Sequence, residues 1–365
     1  MKDELLYQIA LTLIPNIGAV QAKALLDEFG NAKSIFNSSV KQLSAVENVG
    51  EIRARSIKQF SEFANAETEI SVIEKNNIEP IFITDGNYPK RLLNCYDAPT
   101  LLYFKGNADL NSSKIISIIG TRNNTDYSRQ IIEKLLSDIK EYSPLIVSGL
   151  AFGVDSLAHK SALQCGLSTI GVLGNGMHTI YPAQHKSLAK DMMNNGGLLT
   201  EFTFNTKPDK HNFPRRNRIV AGISDATIVM ETALRGGSMI TAELANNYNR
   251  DVFALPGKIT DSKSAGCNYL IRSNKAILLT DAQQMMEELG WQQVAAKKKM
   301  QRELFIQLTD DEQKIWDKLK EKDSIHIDEL YLHSGLSSSA VAAAILGLEL
   351  QNLVLSLPGK MYKLA

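Results

Sequence analysis

Residues 213–218, FPRRNR, place Arg215, Arg216 and Arg218 in one six-residue stretch directly ahead of the apolar run Ile219, Val220, Ala221. Such a run marks a helix. A helix start ordinarily takes Asp or Glu, because its free amide groups leave that end partly positive. Three guanidinium groups crowded there call for an anion. Four glycine-bearing stretches repeat the same demand: GTR at 120–122, SGLAFG at 148–153, GNG at 174–176 and RGGS at 235–238. A glycine lets backbone amides approach an anion closely. Gly120, Ser148, Gly149, Gly174, Gly176, Gly236, Gly237 and Ser238 are therefore candidate anion contacts, together with Arg122.

The elements that must hold these residues alternate. KIISIIG (114–120), PLIVSG (144–149), STIGVLG (168–174), GLLTEF (197–202), DATIVME (225–231) and DVFALPG (251–257) read as short apolar strands, with helical stretches between them. The alternation predicts an α/β fold: an extended, Rossmann-like, mostly parallel sheet with helices on both faces. In such sheets ligands bind at the carboxyl ends of the strands, which is where the glycine stretches fall.

The anion is not announced as a nucleotide cofactor. No strand-to-helix junction reads GxGxxG, since GNGMHT lacks the third glycine, and no GxxxxGK[ST] is present. No cofactor is expected. A phosphate-holding surface without a cofactor fingerprint points to an extended phosphate chain, so the arginines are read as contacts to a nucleic-acid backbone. Phe213 then either stacks on a base or wedges the loop, and Asn217 is either a backbone hydrogen-bonder or a cap. Asp155 and His159 have the i, i+4 spacing of a metal pair, with Cys165 nearby. Lacking a third ligand, they are read as a cap and a packed, hydrogen-bonded imidazole, and no metal is expected.

In order along the chain, GTR, SGLAFGVDSLAH, STIGVLGNGMHTIYP, LLTEF, FPRRNRIVAGIS, GGSMITAELA, FALPG and SAGCNYLI cover roughly residues 85–280. This series resembles the DNA-processing protein A (DprA/Smf) family. The resemblance implies a cytoplasmic, homodimeric single-stranded DNA binder. It implies a protein that protects incoming DNA in natural transformation and loads the RecA recombinase on it, with no catalysis. It places Arg122, Arg215, Arg216 and Arg218 on phosphate, with a lysine after the Tyr-Pro motif; the alternative for the FPRRNR cluster is that one of its three arginines pairs internally with a carboxylate such as Glu201. Here YPAQHK offers Lys186; the position after Pro is Ala183, and if the lysine belongs there the contact is missing.

Flanking modules fit the same family. IPNIGAVQAKALL (from Ile14) and VENVGEIRARSIK (from Val46) align without gaps, with Gly18 and Gly50 equivalent. They resemble paired helix-hairpin-helix motifs, whose glycine turns the chain and whose next helix offers amides to a phosphate; the alternative is a helical docking domain. Near the other end, LTDDEQKIWDKLKE, HIDELYLHSG and SSSAVAAAILGLELQ give three helices and LVLSLPGKMYKL a hairpin, a winged-helix outline. Its third helix, 336–351, has no Lys or Arg. A groove-reading helix needs cations, so this module is read as protein-docking or autoregulatory. The resulting division is a helical domain at 1–70, the sheet domain at 71–288, a linker at 289–306 bearing lysines at 297–299, and the winged-helix-like domain at 307–365.

Bulk properties are consistent with this. Of 365 residues, 44% are hydrophobic and 22% charged, which is ordinary for a globular chain. No run reaches the ~20 apolar residues of a membrane span, and MKDELLYQIA lacks a signal-peptide head. Three widely spaced cysteines without CxxC spacing argue for a reducing compartment. Net charge is zero, but 71–304 carries 27 Lys/Arg against 22 Asp/Glu, while both flanks are net negative. A polyanion would bind the middle. A second reading is a nucleotide-processing enzyme of the phosphoribohydrolase type, suggested by GGSMITAE, with Glu231 or Glu243 as its carboxylate.

Overall fold

The computed structural model describes residues 2–291, 308–351, 353–357 and 360–364. It has two compact units, 1–292 and 293–365. The first opens with six helices, α1 (Lys2–Leu13), α2 (Ala19–Phe29), α3 (Ala32–Asn37), α4 (Val40–Ala45), α5 (Gly50–Gln59) and α6 (Phe63–Lys75). The two predicted hairpins lie side by side. Arg53 spans them, its Nε donating to Asn16 O at 2.9 Å and its Nη1 to Asn48 O at 3.2 Å. Asn16 and Asn48, 32 positions apart like the glycines, take the left-handed conformation (φ 64° and 62°). Gly50 does too (φ 63°), but Gly18 does not. The first hairpin therefore turns on its asparagine.

The sheet and its helices follow: β1 (Glu79–Phe82), α7 (Lys90–Leu93), β2 (Leu101–Gly106), β3 (Ile115–Ile119), α8 (Asp126–Ile139), β4 (Leu145–Ser148), α9 (Val154–Gln164), β5 (Thr169–Val172), α10 (Lys186–Asn194), β6 (Gly196–Thr200), α11 (Asn212–Ile223), β7 (Ala226–Val229), α12 (Gly237–Asn247), β8 (Asp251–Ala254), α13 (Ala265–Arg272), β9 (Ile277–Leu278) and α14 (Ala282–Glu288). Strand order is β1-β2-β6-β5-β4-β3-β7-β8-β9. From β6 to β9 every pairing is parallel; β2 pairs antiparallel to β6, and β1 antiparallel to β2. All six strands read from the sequence are present. The antiparallel pair at the edge was not among them. β3, β4 and β5 are buried at every position, as strands covered on both faces must be. The chain runs outward from β3 through β4 and β5 to β6, then returns to place β7 on the other side of β3. The switch point thus lies between β3 and β7.

Helices α1 and α6 pack against the antiparallel edge and share its apolar core. Glu69, buried in α6, accepts the Phe204 amide at 2.7 Å. The helical region and the sheet form one compact unit for this reason. α6 runs through residue 70, so it spans the border read at 70/71.

The second unit contains α15 (Asp310–Leu319), β10 (Ile325–His326), α16 (Ile327–His333), α17 (Ser338–Leu350), β11 (Val354–Leu357) and β12 (Met361–Leu364), with strand order β10-β12-β11. This is a winged helix. Thr309 and Glu312 close a capping box at the start of α15. The lysines at 297–299 lie outside the described residues, as does most of the predicted linker. Among the described residues, no single helix is long and apolar enough to cross a membrane.

Glu231, at the end of β7, anchors the start of α8. Its carboxylate is buried and accepts from Thr125 N (2.9 Å), Ser128 Oγ (3.1 Å) and Thr125 Oγ1. Glu231→Ala strands these donors, at ~1–3 kcal/mol for each left buried and unpaired. We expect a loss of about 3 kcal/mol in urea unfolding; an unchanged midpoint would show that the carboxylate does not hold the helix.

Candidate nucleic-acid interface

A cleft of about 570 Å³ opens at the switch point. It collects the carboxyl ends of β3 and β4 (Gly120, Thr121, Arg122, Gly149), the segment after β7 (Thr232, Ala233, Gly236), the start of α12 (Gly237, Ser238) and one face of α11 (Phe213, Arg216, Asn217). Nine of the fifteen residues nominated from the sequence line it: Gly120, Arg122, Gly149, Phe213, Arg216, Asn217, Gly236, Gly237 and Ser238. Lys210, Thr121 and Asp155 also line it and were not nominated as contacts. Lys210 had a sequence signal, a cation three residues ahead of Phe213.

The three arginines of FPRRNR separate by helical geometry. Residues 215 and 218 are i, i+3 and share a face; residue 216 points elsewhere. Arg218 Nη2 pairs with Glu201 at 2.5 Å, and its Nη1 reaches the Asp97 carbonyl and carboxylate. Arg215 is exposed, reaches the same Glu201 at 3.3 Å, and lies over the Phe202 ring. Arg218 is thus consumed inside the protein, a correction to its reading as a phosphate contact, and Arg215 is partly so.

Arg216 is the arginine delivered to the cleft, and it is 7% exposed. Its Nη1 donates to Val172 O at 3.0 Å, while its Nε is buried with no acceptor. Burial pushes this guanidinium below its ordinary value; Asp155 opposes that, and Arg122 adds to it. Asp155 is raised by its own burial, with Arg216 pulling it back. Its Oδ2 accepts the Ala151 amide at 3.2 Å. Asp155 is therefore a loop anchor beside a buried cation.

His159 holds the same loop from below. Fully buried, it bridges Gly149 O and Thr169 Oγ1, each at 2.6 Å. Burial lowers it to about 4, so the neutral ring is the form the fold accepts. It is the packed imidazole expected. Among the described residues, no group of three or more His, Cys, Asp or Glu side chains is placed to hold a metal.

Four other nominated residues sit off the cleft. Ser148 is buried and spends its hydroxyl on Ile118 O at 2.6 Å. A Cβ on Gly176 would lie 2.0 Å from Thr203 O, so this glycine serves close backbone packing. Gly174 underlies the Phe213 ring, where a Cβ would come within 2.8 Å of Cδ1. Lys186 is exposed at the start of α10, outside the cleft lining. Arg122 is exposed, with its guanidinium 6.0 Å from the Phe213 ring centroid. Neither carboxylate named for the enzymatic reading lines the cleft. Glu231 is saturated by α8, and Glu243 faces Lys275 at 3.6 Å.

The family profile described as DNA recombination-mediator protein A matches residues 79–290. A DprA winged helix domain profile matches 305–360, and a helix-hairpin-helix profile matches 8–70. The chain is 42% identical over 206 residues to the DNA processing protein DprA of Streptococcus pneumoniae, covering 56% of this chain and 72% of that one. It is 33% identical over 295 residues to the protein Smf of Synechocystis, covering 79% and 73%. The X-ray structure of the Streptococcus pneumoniae protein superposes with a TM-score of 0.67 at 33% identity, over 78% of this chain and 97% of that one. DNA processing protein A from Helicobacter pylori, in a structure describing its single-stranded DNA binding mode, gives 0.53 at 31% identity over 58% and 95%.

The His159 geometry fixes a pH dependence. Above pH 6.5, the ordinary histidine value, the ring is neutral in folded and unfolded chains and its stabilisation is complete. Below that the unfolded chain takes up a proton, but the folded chain does not until about pH 4. Stability is lost as pH falls through this window, by at most ~3 kcal/mol. His159→Gln should show a smaller drop between pH 7 and pH 4.5 in urea unfolding. An identical drop would show that His159 does not carry it.

Proposed function

The chain belongs to the DNA recombination-mediator protein A family, and from that premise we propose that it binds single-stranded DNA along the switch-point cleft, as a non-catalytic protein without a nucleotide cofactor. The carrying observation is the convergence of Arg122, Lys210 and the buried Arg216 on a cleft whose lining includes Gly120, Gly149, Gly236 and Gly237. The α12 start supports the reading. Gly237 has open space where a Cβ would stand, and Gly236 and Ser238 flank it. Arg122 and Lys210 are exposed, with long side chains able to follow a backbone. Asn217 adds a neutral donor. The Helicobacter pylori relative, described by its single-stranded DNA binding mode, supports the reading.

The role extends, in this reading, to protecting single strands in transformation and recombination and to loading the RecA recombinase on them as a homodimer. Family membership supports this part. The winged helix is assigned to protein docking. Its third helix, α17, turns Leu346 and Leu350 to solvent and offers no cation. The first hairpin is a poor phosphate site, because the Gln21 side chain already accepts the Gly18 amide at 3.1 Å.

Two outcomes test the cleft. Arg122→Ala with Lys210→Ala should weaken binding to oligonucleotides of all sequences about equally. It should also reduce the slope of log affinity against log salt by ~1 for each lost phosphate contact. Unchanged affinity in a folded double variant would move the DNA elsewhere. Deleting residues 305–365 should leave affinity unchanged or slightly raised, since that segment is net negative. A tenfold loss, ~1.4 kcal/mol, would show that the winged helix contacts DNA.

A further inference from the structure

A groove of about 300 Å³ lies between α8 and α9, and no described residue lines both it and the switch-point cleft. Asn124, Arg129 and Glu133 wall it on the α8 side. Gly153, Ser156, Lys160 and Ser161 wall it on the α9 side. The two helices follow β3 and β4, which are parallel neighbours, so their positive amino ends open at the same end of the groove. α9 opens on Gly153 without a side-chain cap. The cations of the groove are not spent within the protein. Arg129 meets Asp126 at 4.0 Å, with the two side chains 56% and 89% exposed, a contact worth little in water. Lys160 is exposed and joins no ion pair among the described residues. Ser161 is an independent sign. It is 2% exposed, and its Oγ has no hydrogen-bond partner among the described residues. Ser156 differs, since its Oγ donates to Gly153 O at 3.1 Å. A buried hydroxyl without a partner is costly, and an oxygen-rich anion entering the groove supplies the acceptor.

We infer that the groove between α8 and α9 binds one phosphate group of a nucleotide. Three features set this class. A guanidinium fork and an ammonium point charge on facing helices, with a hydroxyl donor beside them, match a tetrahedral oxyanion. These two positive charges, Arg129 and Lys160, stand against one carboxylate in the lining, Glu133. That balance suits a single phosphate and not a chain of them. The volume, space for about ten waters, admits a phosphate with its sugar and excludes a folded peptide element. Two sources carry the same chemistry. One is a free nucleotide. The other is the strand of the cleft, because the groove backs onto the Arg122 segment: a Cβ on Gly153 would stand 2.3 Å from Thr121 O and 2.5 Å from Arg122 C. The groove is a phosphate site in either case; the strand as its source rests also on the reading of the cleft.

The test compares the full-length chain with Arg129→Ala/Lys160→Ala and with Glu133→Gln, each checked for fold by urea unfolding. Two probes are titrated: thymidine monophosphate, and oligothymidines of increasing length at two salt concentrations. With the strand as source, the double variant should bind short oligothymidines normally and lose about tenfold on long ones. Its salt slope on the long ones should fall by ~0.7 for each lost contact. With free nucleotide as source, the double variant should lose monophosphate binding by the same factor and bind every oligothymidine as the unmodified protein does. Under either source, Glu133→Gln should tighten the affected probe, an effect of opposite sign that a damaged helix pair does not produce. No change on either probe in the double variant, equal losses on oligothymidines of every length, or weaker binding in Glu133→Gln would overturn the phosphate site. Failure of the unmodified protein to bind oligothymidines of any length would overturn the cleft reading and leave the monophosphate titration to decide the groove.

Discussion

A guanidinium group buried at the switch point constrains everything around it. Arg216 leaves the second turn of α11 and ends between the loops that follow β4 and β5. A buried charge is tolerated only with opposite charge and hydrogen-bond acceptors close by. Asp155 and the Val172 carbonyl provide them. Gly149 is the space this requires. A Cβ there would stand 1.8 Å from Arg216 Nη1 and 2.3 Å from Asp155 Oδ2. The carbonyl of the same glycine is held by His159, which is kept neutral by its burial. One cation thus ties together a glycine of the loop after β4 and a carboxylate and an imidazole of α9. The loop they form carries Phe152 on its outer side.

The same helix shows how a cation cluster in sequence is partitioned in space. Glu201 follows β6, and it draws Arg215 and Arg218 to the side of α11 away from the cleft. Arg91 makes a comparable tie elsewhere, joining α7 to Asp225 at 2.6 Å, where Asp225 also accepts the first amide of β3. Such pairs set where α7 and α11 sit against the sheet. The exposed cations facing the cleft, Arg122 and Lys210, come from loops, and among the described residues no ion pair claims them.

This partition explains what could be read in advance. The parallel sheet was legible because KIISIIG, PLIVSG and DATIVME are β-branched runs closed by small or polar residues, a pattern with few other solutions. The location of the cleft followed, since glycine junctions mark strand ends. The β1–β2 edge was not read, although LLYFKG is a strong apolar run; Pro80 within EPIF and the irregular segment between the strands masked the pairing. Which arginine faces the cleft required the phase of α11 and the position of Glu201, and neither is written in the motif. Ser148 and Gly176 sit in stretches whose composition suits phosphate and whose backbone packing decides otherwise. Lys210 was within reach of the sequence, since KPDKHNFPRRNR extends the basic stretch upstream.

Two physically different surfaces meet at Phe213. On one side, in the proposed reading, the glycine-bearing loops and solvated cations would hold a phosphate chain by an attraction that weakens as salt rises, because its origin is the release of condensed counterions. On the other, Phe152 and Tyr181 leave apolar surface open to solvent, of a kind whose attractions are largely indifferent to salt. The Phe213 ring between them is packed on Gly174 from below and faced by the Arg122 guanidinium. A cation over an aromatic face is itself attractive, so Arg122 is held near the boundary before any ligand arrives. Preorganising a long, exposed arginine in this way lowers the side-chain entropy lost on binding. The net-positive centre of the chain then supplies the long-range field, and the paired loops supply the short-range fit.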